Sequence, residues 1–88
     1  MKVRFRASFA RDLRALKDQD LLGRIKALIE SVENAKTLAD VVGLKKLRGG
    51  GAYYRARVGD YRVGLAVEED VVAFVRVLHR REVYRYFP

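Results

Sequence analysis

The sequence has no cysteine, no tryptophan, a single histidine and a single proline. Without cysteine no disulfide can brace the fold. One histidine and no cysteine leave no donor set for a structural zinc site, and the expectation is a protein without metal or cofactor. No segment approaches the roughly 18 consecutive apolar residues of a membrane helix. The opening stretch MKVRFRASFARDL is charged throughout and lacks an apolar signal core. A soluble, cytoplasmic protein is expected. No repeat, low-complexity tract or linker breaks the 88 residues, so 1–88 reads as a single domain with one core.

Charge is abundant, and it is lopsided. Nineteen Lys and Arg stand against eleven Asp and Glu, a formal net charge of +8. Thirteen of the nineteen are arginine, which grips phosphate with two parallel hydrogen bonds and stacks on bases. Half of the residues are apolar, enough for a packed core. The implied partner is a polyanion: RNA, DNA or an acidic protein.

Residues 2–7 alternate, Val3, Phe5 and Ala7 on one side and Lys2, Arg4 and Arg6 on the other, as in a half-buried strand. Ser8 is the expected cap of a first helix carrying Phe9, Leu13 and Leu16 up to about Lys17. Asp18 or Asp20 caps a second helix with a stripe from Leu21 to Val32, which Gly23 weakens by about 1 kcal/mol. Thr37–Asp40 has capping-box spacing, and a helical turn is expected from there to Val42, ended by Gly43. Residues 44–48 are a short strand or an extended docking segment. Gly49–Gly51 lacks the spacing of a phosphate loop and reads as a linker. Residues 71–78 are apolar on both faces apart from Arg76, as in a central strand. The tail forms a last short helix with Val83 and Phe87 four apart. The order implies an α+β fold: a helical hairpin on one face of a twisted, mostly antiparallel sheet of four to five strands, with the opposite face free.

YYRARVGDYRVGL, residues 53–65, reads as a hairpin closed by Gly59-Asp60. The register then pairs Val58 with Tyr61, Arg57 with Arg62, Ala56 with Val63 and Arg55 with Gly64. Arg55, Arg57 and Arg62 share the free face, although like charges opposed across a sheet are destabilising. Residues 44–58 contain five cations and no carboxylate. Gly64 is expected to leave a hollow beside Arg55, with Arg80 and Tyr84 on the same side. Such a pocket suits one phosphodiester and one stacked base. Lys45, Lys46, Arg48, His79 and Arg81 are candidates for further RNA contacts. Glu68-Glu69-Asp70 is a solvated turn, and the lone histidine has no serine and aspartate placed for a triad.

LKKLRGG, YYRARVGDYRV and VLHRREVY together resemble the RelE/ParE superfamily of toxins from type II toxin–antitoxin modules. The resemblance runs from the first strand to Tyr84 and implies the same fold. RelE-like members cut mRNA in the ribosomal A site; ParE-like members inhibit DNA gyrase and are not nucleases. The basic set of the RelE-like arm falls on Arg55, Arg57, Arg62 and Arg80, with its tyrosine on Tyr84. This implies a ribosome-dependent endoribonuclease in which the substrate's 2′-hydroxyl attacks the adjacent phosphate. The implied partners are the 70S ribosome with mRNA and a cognate, acidic antitoxin. Family members carry lysines where this chain has Arg55 and Arg57. Arginine stays protonated and is a poor base, so the proton acceptor is left open among Tyr84, His79 and a purely electrostatic mechanism. A ParE-like gyrase inhibitor and an inactive module that binds RNA or antitoxin are the alternatives.

Overall fold

The alternating N-terminal segment forms strand β1, Lys2–Phe5, in a computed structural model that describes residues 1–49 and 51–88. The strand stops before Ala7 because Arg6 is a junction. Its N–H donates to the Phe74 carbonyl at 3.0 Å, while its carbonyl accepts from Ala10 at 3.1 Å and starts helix α1, Ala7–Ala15. Arg6, with no side-chain hydrogen bond to the helix, is therefore the N-cap, and the expected cap Ser8 lies inside the helix. The Ser8 hydroxyl donates instead to the Val75 carbonyl at 2.6 Å.

Helix α2, Gln19–Asn34, is capped by Asp18, whose carboxylate accepts from the Leu21 N–H at 3.1 Å. Leu21, Ile25 and Val32 are buried, and exposed Gly23 does not interrupt the helix. The Thr37–Asp40 capping box holds, but its helical turn covers only Leu38–Asp40 and ends short of Val42. Gly43, at φ +91°, then turns the chain into strand β2, Leu44–Lys46, so the 44–48 segment begins as a strand. The linker reading of Gly49–Gly51 falls partly on residue 50, outside the described residues.

Strands β3 (Tyr53–Val58), β4 (Tyr61–Glu68) and β5 (Val71–His79) complete a five-stranded sheet of order β1-β5-β4-β3-β2. Only β1 and β5 run parallel among the described pairings. The β3–β4 register is the one expected, Arg57 opposite Arg62 and Arg55 opposite Gly64. Gly59 takes φ +58° and Asp60 a negative φ, the pattern of a type II′ turn. A bulge at Val75 shifts the β4–β5 register between Gly64 and Leu65. Beyond the end of β1, α1 covers the edge of β5: the Asp12 carboxylate accepts from the Val77 N–H at 2.9 Å and from Arg76 Nε at 2.8 Å.

The main core lies under the helices, where Phe9, Ile25 and Val32 meet Val63, Leu65, Val72 and Phe74. Burying each large apolar side chain is worth about 1.5–3 kcal/mol, whereas a repulsive cross-strand pair costs about 0.2–1 kcal/mol. The hairpin thus tolerates Arg57 facing Arg62. The other face is not free along its whole length, as the sequence had suggested. Helix α3, Val83–Tyr86, and the residue after it fold back on the sheet, and Leu78, Val83 and Phe87 form a second small core with Leu47, Tyr53 and Val75. Among the described residues no helix is long and apolar enough to cross a membrane.

Candidate functional site

The portion of this face left open by α3 carries the arginines. Arg55 and Arg57 alternate with buried Ala56 and Val58 along β3, so the two-residue period sends both to one side. Arg62 lies opposite Arg57 and, on its other flank, opposite Leu78 of the second core. It is 8% exposed, and the only charged residue of the chain buried to that degree among the described residues. Its Nη1 donates to the carbonyls of Gly59 at 3.0 Å and Tyr61 at 2.9 Å. The guanidinium is thereby fixed to the turn of its own hairpin. Burial pushes the Arg62 pKa down, and repulsion from Arg57, Arg55 and Arg80 pushes it further in the same direction. The side chain remains a cation at neutral pH, held where an anion would relieve it.

Arg80 follows β5 in an exposed turn. Its backbone N–H donates to the Asp60 carbonyl at 2.8 Å, and its Nε stands 4.0 Å from the Asp60 carboxylate. No other residue of the expected basic set has an ion-pair partner among the described residues. Tyr84 projects from α3, 66% exposed, with the Arg55 guanidinium carbon 5.5 Å from its ring centre. Lys45 lies opposite Arg55 on β2, a second like-charge pair. A groove of about 480 Å³ runs between them, lined by Lys45, Lys46, Arg48, Arg55, Tyr84 and the C-terminal Phe87-Pro88.

The fold thus brings together Arg55, Arg57, Arg62, Arg80 and Tyr84, with Lys45, Lys46 and Arg48 along the adjoining groove. It does not bring His79 to them. Residue 79 lies opposite Tyr61, one step out of phase with Arg62, and its ring packs edge-on at 5.4 Å against that tyrosine on the helix side of the sheet. Its Nδ1 accepts from the Arg81 N–H at 3.2 Å, and Arg81 itself is exposed in the turn. The hollow expected at Gly64 is filled: the Phe87 ring occupies the space a side chain there would need. Sequence reasoning paired Val83 with Phe87 as helix neighbours and saw Gly64 as a gap; the two signals belonged to one contact.

The model for the ParE toxin of the type II toxin–antitoxin system matches residues 3–84. Toxin RelE3 of Methanocaldococcus jannaschii is 44% identical over 100% of both chains. In the crystal structure of the RelB–RelE antitoxin–toxin complex from Methanococcus jannaschii, a chain 40% identical superposes with a TM-score of 0.82, covering 97% of this chain and 99% of that one. A chain of the archaeal RelE–RelB complex from Pyrococcus horikoshii, 25% identical, superposes with a TM-score of 0.73 over 90% of this chain and 93% of that one. A helical pair packed on one face of a five-stranded, mostly antiparallel sheet is thus the fold of small toxin proteins from toxin–antitoxin modules. The chain belongs to the RelE/ParE family of type II toxins.

Proposed function

We propose that this chain is a RelE-type toxin that cuts mRNA in the ribosomal A site and is held in check by a cognate antitoxin. The observation that carries this reading is the placement of Arg62: buried, fixed to its hairpin turn, and surrounded by Arg55, Arg57 and Arg80 with one weak carboxylate contact between them. Such clustering is electrostatically costly in the free protein and favourable once a phosphate sits among the guanidinium groups.

In the reaction the 2′-oxygen attacks the adjacent phosphorus. A P–O bond forms to that oxygen and the bond to the 5′-oxygen breaks, giving a 2′,3′-cyclic phosphate and a 5′-hydroxyl. Arg62, with Arg55 or Arg57, stabilises the charge that develops on the phosphoryl oxygens. Arg80 neutralises the leaving oxygen. Tyr84, exposed above Arg55, offers its ring to a base. The ribosome splays the codon into attack geometry, a positioning effect worth several kcal/mol. With both hairpin positions arginine and His79 across the sheet, the 2′-hydroxyl proton passes to Tyr84 in its phenolate form or to water, and the 5′-oxygen takes up a proton from water as it leaves.

The test is a translating extract given the purified protein, with new 5′ ends mapped on a defined mRNA. Breaks at A-site codons that vanish with Arg62→Ala support the reading. A folded protein that halts growth without cutting mRNA overturns it. The match to a ParE model keeps gyrase inhibition as a second reading, for which a supercoiling assay would register inhibition that Arg62→Ala leaves intact.

A further inference from the structure

We infer that Tyr86 and Phe87 are positioning residues: together they seat helix α3 on one rung of the sheet and so hold the Tyr84 ring over Arg55. The inference deepens the nuclease reading above and rests on it for the use made of Tyr84.

The rung crosses four strands. Lys45 pairs with Arg55, Arg55 with Gly64, and Gly64 with Arg76. It carries three cations and one residue without a side chain. Arg76 belongs to it because of the bulge at Val75. Without that extra residue Val75 would face Gly64, and the two-residue alternation would send Arg76 to the helix side. Asp12 then fixes Arg76, accepting from its Nε at 2.8 Å and its Nη2 at 3.2 Å. Arg55 and Arg76 are thus two posts on either side of a notch, about 10 Å apart across two strand spacings.

Three aromatic rings of α3 and the residue after it meet this rung. The Arg55 guanidinium carbon lies 5.5 Å from the Tyr84 ring centre, and that of Arg76 lies 5.9 Å from the Tyr86 ring centre. Both fall within the reach of about 6 Å for an attractive cation–ring contact. Between them the Phe87 ring fills the notch at Gly64. Helical residues two apart leave a turn on nearly opposite sides, so a single turn can rest on both posts.

The helix needs that seat. Val83–Tyr86 is one turn without a side-chain cap, too short to persist unsupported. Buried Val83 and Phe87 pin it to the sheet. Two pins define a line, and a roll about that line would swing Tyr84 off Arg55. The contact of Tyr86 with Arg76 stops the roll. It matters most during the reaction, when a phosphate competes with the Tyr84 ring for Arg55. Arg76, already committed to Asp12, keeps its place.

The experiment uses the full chain and its Tyr86→Ala, Tyr86→Phe and Gly64→Ala variants, each also combined with Tyr84→Ala. It measures single-turnover mRNA cleavage on programmed ribosomes and, by NMR of the free protein, the upfield ring-current displacement of the Arg55 side-chain protons. Tyr86→Ala is expected to slow cleavage at least threefold and Gly64→Ala at least tenfold, each with at least half of the Arg55 displacement lost. Tyr86→Phe keeps the ring and should match the wild type in both readouts. In the Tyr84→Ala background neither Tyr86→Ala nor Gly64→Ala should slow cleavage further, because there is no ring left to position. Slowing by the same factor in both backgrounds would show a general structural role and overturn the inference. Tyr86 is half exposed, so Tyr86→Ala is informative even where Gly64→Ala fails to fold. A folded Tyr86→Ala with wild-type cleavage and an intact Arg55 displacement also overturns it. A wild-type chain that cuts no mRNA overturns the nuclease reading instead, and an Arg55 displacement that survives Tyr86→Ala overturns the seating whether or not mRNA is cut.

Discussion

The ring of Phe87 is the side chain that Gly64 lacks. A methyl group at position 64 would stand 2.8 Å from three carbons of that ring, well inside contact distance. Phe87 is 3% exposed and the last buried residue of the segment that carries Tyr84. Gly64→Ala is therefore expected to unseat the C-terminal segment, at a cost of about 1–3 kcal/mol. Thermal unfolding should show a fall in Tm of several degrees. Adding the smaller Phe87→Leu should restore part of it, and an unchanged Tm in Gly64→Ala would disprove the contact.

Arg62→Ala should reduce mRNA cleavage by about 100-fold or more, the scale of removing one donor to a developing oxyanion. Arg62→Lys should recover little, because an ammonium cannot span the two carbonyls of Gly59 and Tyr61 and still present a planar fork to phosphate. Single-turnover cleavage on programmed ribosomes measures both. Wild-type rates in the lysine variant would mean that charge alone suffices.

The mutual repulsion at Arg62 predicts that an oxyanion stabilises the fold. At ten times its Kd, sulfate should add about 1.4 kcal/mol. The measurement is Tm in sulfate against chloride at matched ionic strength. The difference should disappear in Arg62→Ala, and an equal response of the two proteins would place the anion elsewhere.

Tyr84 is mostly exposed, so Tyr84→Ala should leave Tm nearly unchanged while slowing cleavage at least tenfold, within the range for losing one stacked base. Tyr84→Phe keeps the ring over Arg55 but has no hydroxyl. It should retain RNA affinity and cut more slowly than the wild type in single-turnover assays. An unchanged cleavage rate in Tyr84→Phe would rule out a part for the hydroxyl in the proton transfer.

Asp12 ties α1 to β5 through Arg76 and the Val77 N–H, and both side chains are largely shielded from water. The hydrogen bonds that Arg76 donates to the Asp12 carboxylate drive the Arg76 pKa up. Asp12→Ala leaves a strand N–H and a guanidinium without their acceptor. The expected loss is about 1.5–3 kcal/mol by urea unfolding. Arg76→Ala alone should cost less, since Asp12 keeps the Val77 N–H. Equal losses would show that the ion pair, not the covered strand edge, is what matters.

The hairpin was fully legible because its signal is local. A Gly-Asp turn fixes the register, and a period of two then assigns every side chain to a face, arginines included. The helices and the Asp18 cap were legible for the same reason. What could not be read depends on contacts between distant segments. The Ser8 hydroxyl satisfies a strand carbonyl 67 residues away rather than its own helix. The bulge at Val75 has no marker in an apolar strand. The gap at Gly64 was visible, but not that a ring 23 positions later would close it. His79 sits beside Arg80 in the sequence, and only its pairing with Tyr61 shows that it belongs to the other side of the sheet.

The two hydrogen bonds from Arg62 to Gly59 and Tyr61 make the β3–β4 turn and the central arginine one rigid piece. An inserted residue in that turn would rotate the guanidinium off its carbonyls and slip the strands by a step. Among the described residues, the loop between β2 and β3 carries no such attachment to the arginine. Natural variation in chain length should therefore gather between residues 47 and 52, while the two-residue turn at 59 and 60 stays the same size wherever the toxin remains lethal.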